Sequence, residues 1–308
     1  MIQFYQVTKS FGTQDVLVGV TFTVHSGERV GIVGPNGAGK STVFELIRGA
    51  LLPDRGEVTV PSSLRLGCVR QQLDPHRTEA SLLAYAEDAL PELRRMQTEM
   101  HRIEEDLVRS GEADRARLLR RLGELQTDFE HQGGYAVRSR AEATLSGLGF
   151  PEERFGMPFR SLSGGWQIRA ELARILVAQP DVLLLDEPTN YLDVPAVEWL
   201  QDYLKGFPGT LLLISHDRYL LNRLTGTTLE VMGGRVTRYA GNYRKYMEER
   251  ESRHGQLLAA RRNQDRKREQ LERFVDRFRS KNTKASQAQS KLKMLARMET
   301  IEVPQISV

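Results

Sequence analysis

One cysteine, Cys68, stands in a chain of 308 residues. A single thiol excludes an internal disulfide framework. No His/Cys cluster takes the spacing of a zinc site, which suits a reducing cytosol and no structural metal. Cys68 itself reads as a small core or strand residue. Long apolar runs are missing as well, and stretches such as Val182 to Leu185 are only strand-sized. The N-terminus MIQFYQVTKSFG lacks the basic start and apolar run of a secretion signal. The expectation is a soluble, cytoplasmic chain with no membrane span.

Acidic residues are scarce in one region. Residues 250–300 hold 15 Lys and Arg against six Asp and Glu, so the rest of the chain carries −5 within a total of +4. A near-neutral body with a basic C-terminal arm is the footprint of a protein that meets nucleic acid or another polyanion; a solvated helical face is the plainer alternative.

The run Gly34, Pro35, Asn36, Gly37, Ala38, Gly39, Lys40, Ser41 fits the phosphate-binding loop G-x-x-x-x-G-K-[ST]. It follows a strand-like run at 29–33 and precedes a helix-like run opening at Thr42, the context such a loop requires. Its glycines let the backbone aim N–H groups at phosphate oxygens, and the helix N-terminus adds partial positive charge. Lys40 is placed to reach the β- and γ-phosphates, and Ser41 to ligate Mg²⁺. The loop occurs once, so the chain holds one nucleotide-binding unit for ATP.

Residues 1–70 alternate short apolar runs with turns and read as a β-rich layer. From 92 to 131 the pattern becomes helical. Leu93, Met96, Met100, Ile103 and Leu107 form one seam, Ser110-Gly111 breaks it, and Leu118, Leu122, Leu125 and Phe129 form the next, predicting an antiparallel helical hairpin. Strand-like runs at 182–185 and 211–214 separated by helical stretches predict a largely parallel sheet. After Tyr246 the chain turns helical and basic. Leu271, Phe274 and Phe278 form one stripe and Leu292, Leu295 and Met298 another, with a polar tip at 280–283.

Two acids, Asp186 and Glu187, end the apolar strand 182–185 at the carboxyl edge of the sheet, where the phosphate loop also sits. Asp186 suits Mg²⁺ held through water, and Glu187 suits orienting or deprotonating the attacking water. Ser215-His216-Asp217 follows the next strand, so His216 can approach the γ-phosphate from the same edge. Ser163, Gly164 and Gly165 before the helix at 167–177 make a second anion-binding nest.

The order of these motifs resembles an ATP-binding cassette: GPNGAGKS, Gln71 in VRQQ, LSGGW, LLLDEPTN, Asp193, then Ser215-His216. In that family the signature loop of one cassette closes over ATP held by another, so Ser163, Gly164 and Gly165 serve a partner's nucleotide. Gln71 is implied to be catalytic and to help hold the metal, and Phe11 to stack on adenine, although Phe11 alone reads as a core residue. Trp166 in LSGGWQIR, DEPTNYLD at 186–193, SHDRYLL at 215–221, YAGNYRKY at 239–246 and RFRSKNTKASQAQSKLK at 277–293 are similar to the ABC-F class. Tyr191 departs from the histidine more usual before its Leu-Asp pair.

The resemblance implies an α/β cassette at 1–246, with a mostly parallel core sheet, an antiparallel β layer and a helical subdomain inserted at about 77–160. A basic two-helix linker follows at 247–308. The chain is then a fragment whose second cassette is missing or supplied by homodimerisation. The implied activity is slow ATP hydrolysis on the ribosome, with rRNA or tRNA at the linker and no membrane subunit. A DNA-maintenance cassette ATPase and a transporter's nucleotide-binding subunit are the alternatives. The linker looks short for an antibiotic-protecting member.

Overall fold

The computed structural model describes residues 1–69, 79–278, 290, 291, 293–295 and 298. The chain divides into two compact units, Met1–Asn242 and Tyr243–Val308.

The first unit opens with β1 (Ile2–Phe11), β2 (Gln14–Val24) and β3 (Arg29–Val33), followed by α1 (Lys40–Ile47), β4 (Arg55–Thr59) and β5 (Leu66–Cys68). A helical region follows, with α2 (Leu82–Glu87), α3 (Pro91–Arg109), α4 (Glu112–His131) and α5 (Val137–Gly147). Then come α6 (Gly164–Val177), β6 (Val182–Asp186), α7 (Val194–Gly206), β7 (Thr210–Ile214), α8 (Arg218–Leu224), β8 (Thr227–Met232) and β9 (Arg235–Ala240).

Two sheets result. β2, β1 and β4 form an antiparallel layer. The core sheet runs β5-β6-β7-β3-β8-β9, parallel at every pairing except β8–β9. The α/β architecture and mostly parallel sheet match the expectation from sequence. Leu183, Leu184, Leu211, Leu212 and Leu213 are fully buried. Such unbroken apolar runs form strands only where both faces of a sheet are covered.

Between the sheets lies a core of Ile2, Phe4, Val7, Leu17, Phe22 and Val24 from the antiparallel layer, Val30, Ile32, Leu184 and Leu212 from the core sheet, and Val43, Phe44 and Ile47 from α1. Phe4 and Phe22 stack at 4.4 Å. The apolar face of α1 packs into this core, which presses the start of α1 against the sheet edge.

Two readings of local structure change. Within the stretch 1–70 read as one β-rich layer, β3 and β5 leave it for the core sheet, β5 pairing with β6 where Gly67 lies so close to Ile175 and Pro180 that a Cβ would meet them at 2.8 and 2.6 Å. The hairpin β8–β9 was not anticipated at all. Its turn is Gly233-Gly234, both at positive φ (57° and 74°), the requirement of a tight two-residue hairpin. Val18 N–H donates to Gly234 O at 2.7 Å and joins this turn to β2.

The helical region enters and leaves at one place: Leu82 N–H donates to Met157 O at 2.8 Å and Phe159 N–H to Ala80 O at 3.0 Å. α3 and α4 form the expected antiparallel hairpin, with Leu93, Met100, Ile103, Leu125 and Phe129 buried and an Arg121–Glu99 ion pair between the helices at 2.9 Å.

The second unit begins with α9 (Tyr243–Phe278), a single helix of 36 residues. It starts three residues before the Tyr246 boundary read from sequence. The polar tip at 280–283 lies outside the described residues.

Candidate functional site

β3, β6 and β7 are neighbours in the core sheet, and their carboxyl ends open onto a cleft of about 520 Å³. Three segments far apart in sequence converge there: the loop between β3 and α1, the acids ending β6, and the residues following β7. In parallel sheets this edge is where ligands sit.

The loop must be glycine at two points. Gly34 has φ 151°, and a Cβ on it would fall 2.2 Å from Val231 O. Gly39 has φ 103°, and its Cβ would fall 2.5 Å from Val16 Cγ1. Lys40 is the first residue of α1, and its Nζ donates to Gly34 O at 2.9 Å and Pro35 O at 3.0 Å. The ammonium therefore lies back over its own loop. Burial pushes its pKa down from the ordinary 10.5, while the Asp186 and Glu187 carboxylates pull it the other way.

Ser41 Oγ donates to Asp186 Oδ2 at 2.8 Å. A hydroxyl and a carboxylate joined at the mouth of a phosphate loop are the hard oxygen donors that Mg²⁺ takes, so these residues fit the ion. Glu187 adopts φ 48°, rare for a residue with a side chain, held by its N–H donating to Ile214 O at 2.9 Å. Its Oε2 accepts from His216 N–H at 3.2 Å. Its Oε1 is buried without a hydrogen-bond partner among the described residues, 3.6 Å from His216 Nε2. A buried carboxylate oxygen at the cleft is placed to accept a hydrogen bond from a water or substrate there.

The cleft brings together Phe11, Asn36, Gly37, Gly39, Lys40, Ser41, Thr42, Asp186, Glu187 and His216. Gly34 and Pro35 take part through the carbonyls that receive Lys40, and Ala38 is half-buried against the core, its N–H donating to Pro35 O at 3.2 Å. Gln71 lies outside the described residues. Phe11 is not the core residue that its apolarity suggests: it is 47% exposed, with Lys9 Nζ 5.7 Å from its ring centroid. The sequence reading missed Gln14, Val16 and Ile214, which also line the cleft. Ser163, Gly164 and Gly165 are not among its lining residues.

A family model described as ABC transporter matches residues 17–190, and a second with the same description matches 229–308. Probable ATP-binding protein YheS of Escherichia coli strain K12 is 38% identical over 301 residues, 98% of this chain and 45% of YheS. ATP-binding cassette sub-family F member 3 of Pongo abelii is 36% identical over 299 residues, 95% of this chain and 40% of that protein. The chain belongs to the ABC transporter family, as a cassette of the ABC-F class. It spans less than half the length of these relatives. The dimeric ATP-binding cassette MJ0796, solved in a post-hydrolysis state with ADP and Pi, shares the fold at TM-score 0.54 and 23% identity, over 78% of this chain and 98% of that one.

The cassette's other glycine-rich segment caps α6. Ser163 is the N-cap residue, yet its hydroxyl makes no capping hydrogen bond. Both Ser163 and Gly164 are exposed. Behind them, the Trp166 ring meets two guanidinium groups, Arg169 at 4.2 Å and Arg154 at 5.4 Å, and Phe150 edge-on at 4.8 Å.

Proposed function

We propose that this chain is one ATP-hydrolysing half of a two-cassette ABC-F protein that works on the ribosome, its basic C-terminal segment meeting RNA. ATP occupies the cleft at the ends of β3, β6 and β7. Lys40 exchanges its two loop carbonyls for phosphate oxygens, and Phe11 offers an exposed ring to the adenine. Mg²⁺, held by Ser41, Asp186 and Gln71, would neutralise phosphate charge. Glu187 Oε1, which has no hydrogen-bond partner among the described residues, takes the attacking water, and His216 stands beside it at 3.6 Å. Ser163, Gly164 and Gly165 serve the ATP of a second cassette, so closure of the pair completes each site.

The observation that carries the ribosome reading is the surface of α9. Arg261, Arg262, Arg266, Lys267 and Arg268 crowd one stretch of this helix, and all are exposed. Arg268 and Arg273 make ion pairs within the helix, to Glu272 and Glu269, which are worth little in water and yield readily to phosphates. Among the described residues no helix is long and apolar enough to cross a membrane. A polyanion is the natural counterpart of such a surface, and phosphate contacts bind without reading sequence.

Co-sedimentation tests the reading. A Glu187→Gln chain held with ATP is expected to pellet with ribosomes and to be released as salt rises from about 50 to 200 mM, the loss that several phosphate contacts produce. Equal or stronger retention on duplex DNA would favour the DNA-maintenance alternative. Retention on neither would leave α9 a solvated face.

A further inference from the structure

Arg169 is 7% exposed, one turn into α6, and its guanidinium is spent almost wholly on main-chain carbonyls. Nε and Nη2 donate to Tyr191 O at 3.1 and 2.5 Å, and Nη1 donates to Leu148 O at 3.0 Å. Asp193 Oδ2 lies 3.6 Å from Nη1. The Trp166 ring covers the guanidinium at 4.2 Å, and Gly149 (φ 84°) passes so close that a Cβ there would stand 2.9 Å from Nη1.

These partners belong to three separate parts of the cassette. Trp166 and Arg169 itself lie in the first turns of α6, whose N-terminus is the Ser163–Gly165 nest. Leu148 and Gly149 end α5 of the helical region. Tyr191 and Asp193 close the turn that begins at Glu187, and Asp193 goes on to cap α7, accepting from Ala196 N–H at 3.2 Å. The nest and the turn also touch directly, since a Cβ on Gly165 would meet Tyr191 Cδ1 at 3.3 Å. A buried cation is costly unless its donors are met, and here they are met by carbonyls of two segments outside α6, so the guanidinium links those segments to the helix.

We propose that Arg169 is a positioning residue for hydrolysis: it fixes the turn 187–193, and through it the Glu187 carboxylate, to the helix that carries the second phosphate nest. This rests on the reading of Glu187 as the group that takes the attacking water. Arg169 touches no substrate and acts through the Tyr191 carbonyl. Engagement of the nest by a second cassette's ATP would thus bear on Glu187 within the same chain. A lysine cannot reproduce the strut, because its compact ammonium lacks the planar fork that gives Tyr191 O two N–H bonds, reaches Leu148 O and stacks flat on an indole.

The test compares Arg169→Lys and wild type in the full chain, with binding of a fluorescent ATP analogue, phosphate release and thermal unfolding measured side by side. Arg169→Lys is expected to keep nucleotide affinity and KM within about two-fold while kcat falls about ten-fold or more. Gly149→Ala, which crowds the guanidinium from behind, is expected to show the same split. In a Glu187→Gln background, Arg169→Lys should slow single-turnover hydrolysis by less than about two-fold further, since both changes strike one device. Loss by an equal factor in both backgrounds, or a kcat for Arg169→Lys within two-fold of wild type, overturns the inference. A Glu187→Gln chain that retains the wild-type rate overturns instead the underlying reading of the site.

Discussion

Ser41 Oγ and Asp186 Oδ2 share a 2.8 Å hydrogen bond that joins the first turn of α1 to the last residue of β6, across 145 positions of sequence. The contact brings two oxygen donors together beside the phosphate loop. It also ties together the two chain segments whose motifs first suggested a nucleotide site.

Neutralising one partner separates metal binding from nucleotide binding. Asp186→Asn keeps the size of the side chain and an acceptor for Ser41 but removes the charge. ATP affinity in Mg²⁺ is expected to weaken about ten-fold, with less than about two-fold change in EDTA, because the carboxylate acts on the nucleotide chiefly through the ion. Titration of a fluorescent ATP analogue under both conditions measures this. Equal weakening in both would show that Asp186 supports the loop rather than the metal.

Glycine substitutions in the loop should differ sharply. At Gly34 a Cβ would lie 2.2 Å from Val231 O at φ 151°, whereas at Gly37 (φ 76°) nothing lies within 4 Å. Gly37→Ala bears only the left-handed backbone, about 1 kcal/mol. Gly34→Ala adds a clash with main chain and should cost about 2 kcal/mol more. Urea unfolding of the two variants gives the difference.

Phe11→Ala decides between stacking and packing. A buried phenylalanine reduced to alanine costs about 3–5 kcal/mol of stability. Phe11 is 47% exposed at the cleft, so its loss should leave the unfolding midpoint nearly unchanged. ATP affinity should instead fall about five- to ten-fold, the low end of what one base stacked on an aromatic ring contributes. Melting curves and a nucleotide titration on the same sample separate the outcomes.

The phosphate loop could be read from sequence because its chemistry is local: three glycines, a lysine and a serine at fixed spacing dictate the backbone. The run Val182–Asp186 was legible for a similar reason, since a buried parallel strand needs an unbroken apolar stretch. What escaped depends on pairing over distance. The strand β5 is three residues long and gains its place only from β6 and from Pro180. Phe11 looked like core because its type is apolar, and only the end of β1 shows that it overhangs the cleft. Arg169 drew no reading of its own, since nothing near it in sequence announces the carbonyls of Leu148 and Tyr191. The Gly233-Gly234 pair was a signal that went unread, for two such glycines between the strand-like runs 227–232 and 235–240 mark a hairpin.

Turnover should depend on assembly. Glu187→Gln is expected to lower kcat about 100-fold or more with KM little changed, as loss of a group that acts on water in the transition state does. In wild type, the phosphate nest at Ser163–Gly165 lies outside the chain's own cleft, so the rate per chain should rise with protein concentration as pairs form. Phosphate release followed alongside sedimentation reads both. A concentration-independent rate from a strictly monomeric sample would remove the need for a second cassette.

Acid stability should respond to a half-buried carboxylate away from the cleft, Glu28. Glu28 accepts from His25 N–H at 2.9 Å, from Thr227 Oγ1 at 2.7 Å and from Arg238, so one side chain ties the β2–β3 turn to β8 and β9. Burial alone would raise its pKa, but the His25 and Thr227 hydrogen bonds and the Arg238 charge outweigh it, and the folded value lies below the ordinary 4.5. A carboxyl that binds its proton more weakly when folded contributes stability that is complete above pH 4.5 and is lost as pH falls through the lower folded value. Glu28→Gln removes the charge and should cost about 2 kcal/mol at pH 7, the scale of hydrogen bonds to a charged acceptor. The gap between variant and wild type should then narrow as the pH is lowered below 4.5. Urea unfolding across pH 3–7 reads the gap directly, and one that stays constant over that range would show that the Glu28 charge contributes nothing to holding the two sheets together.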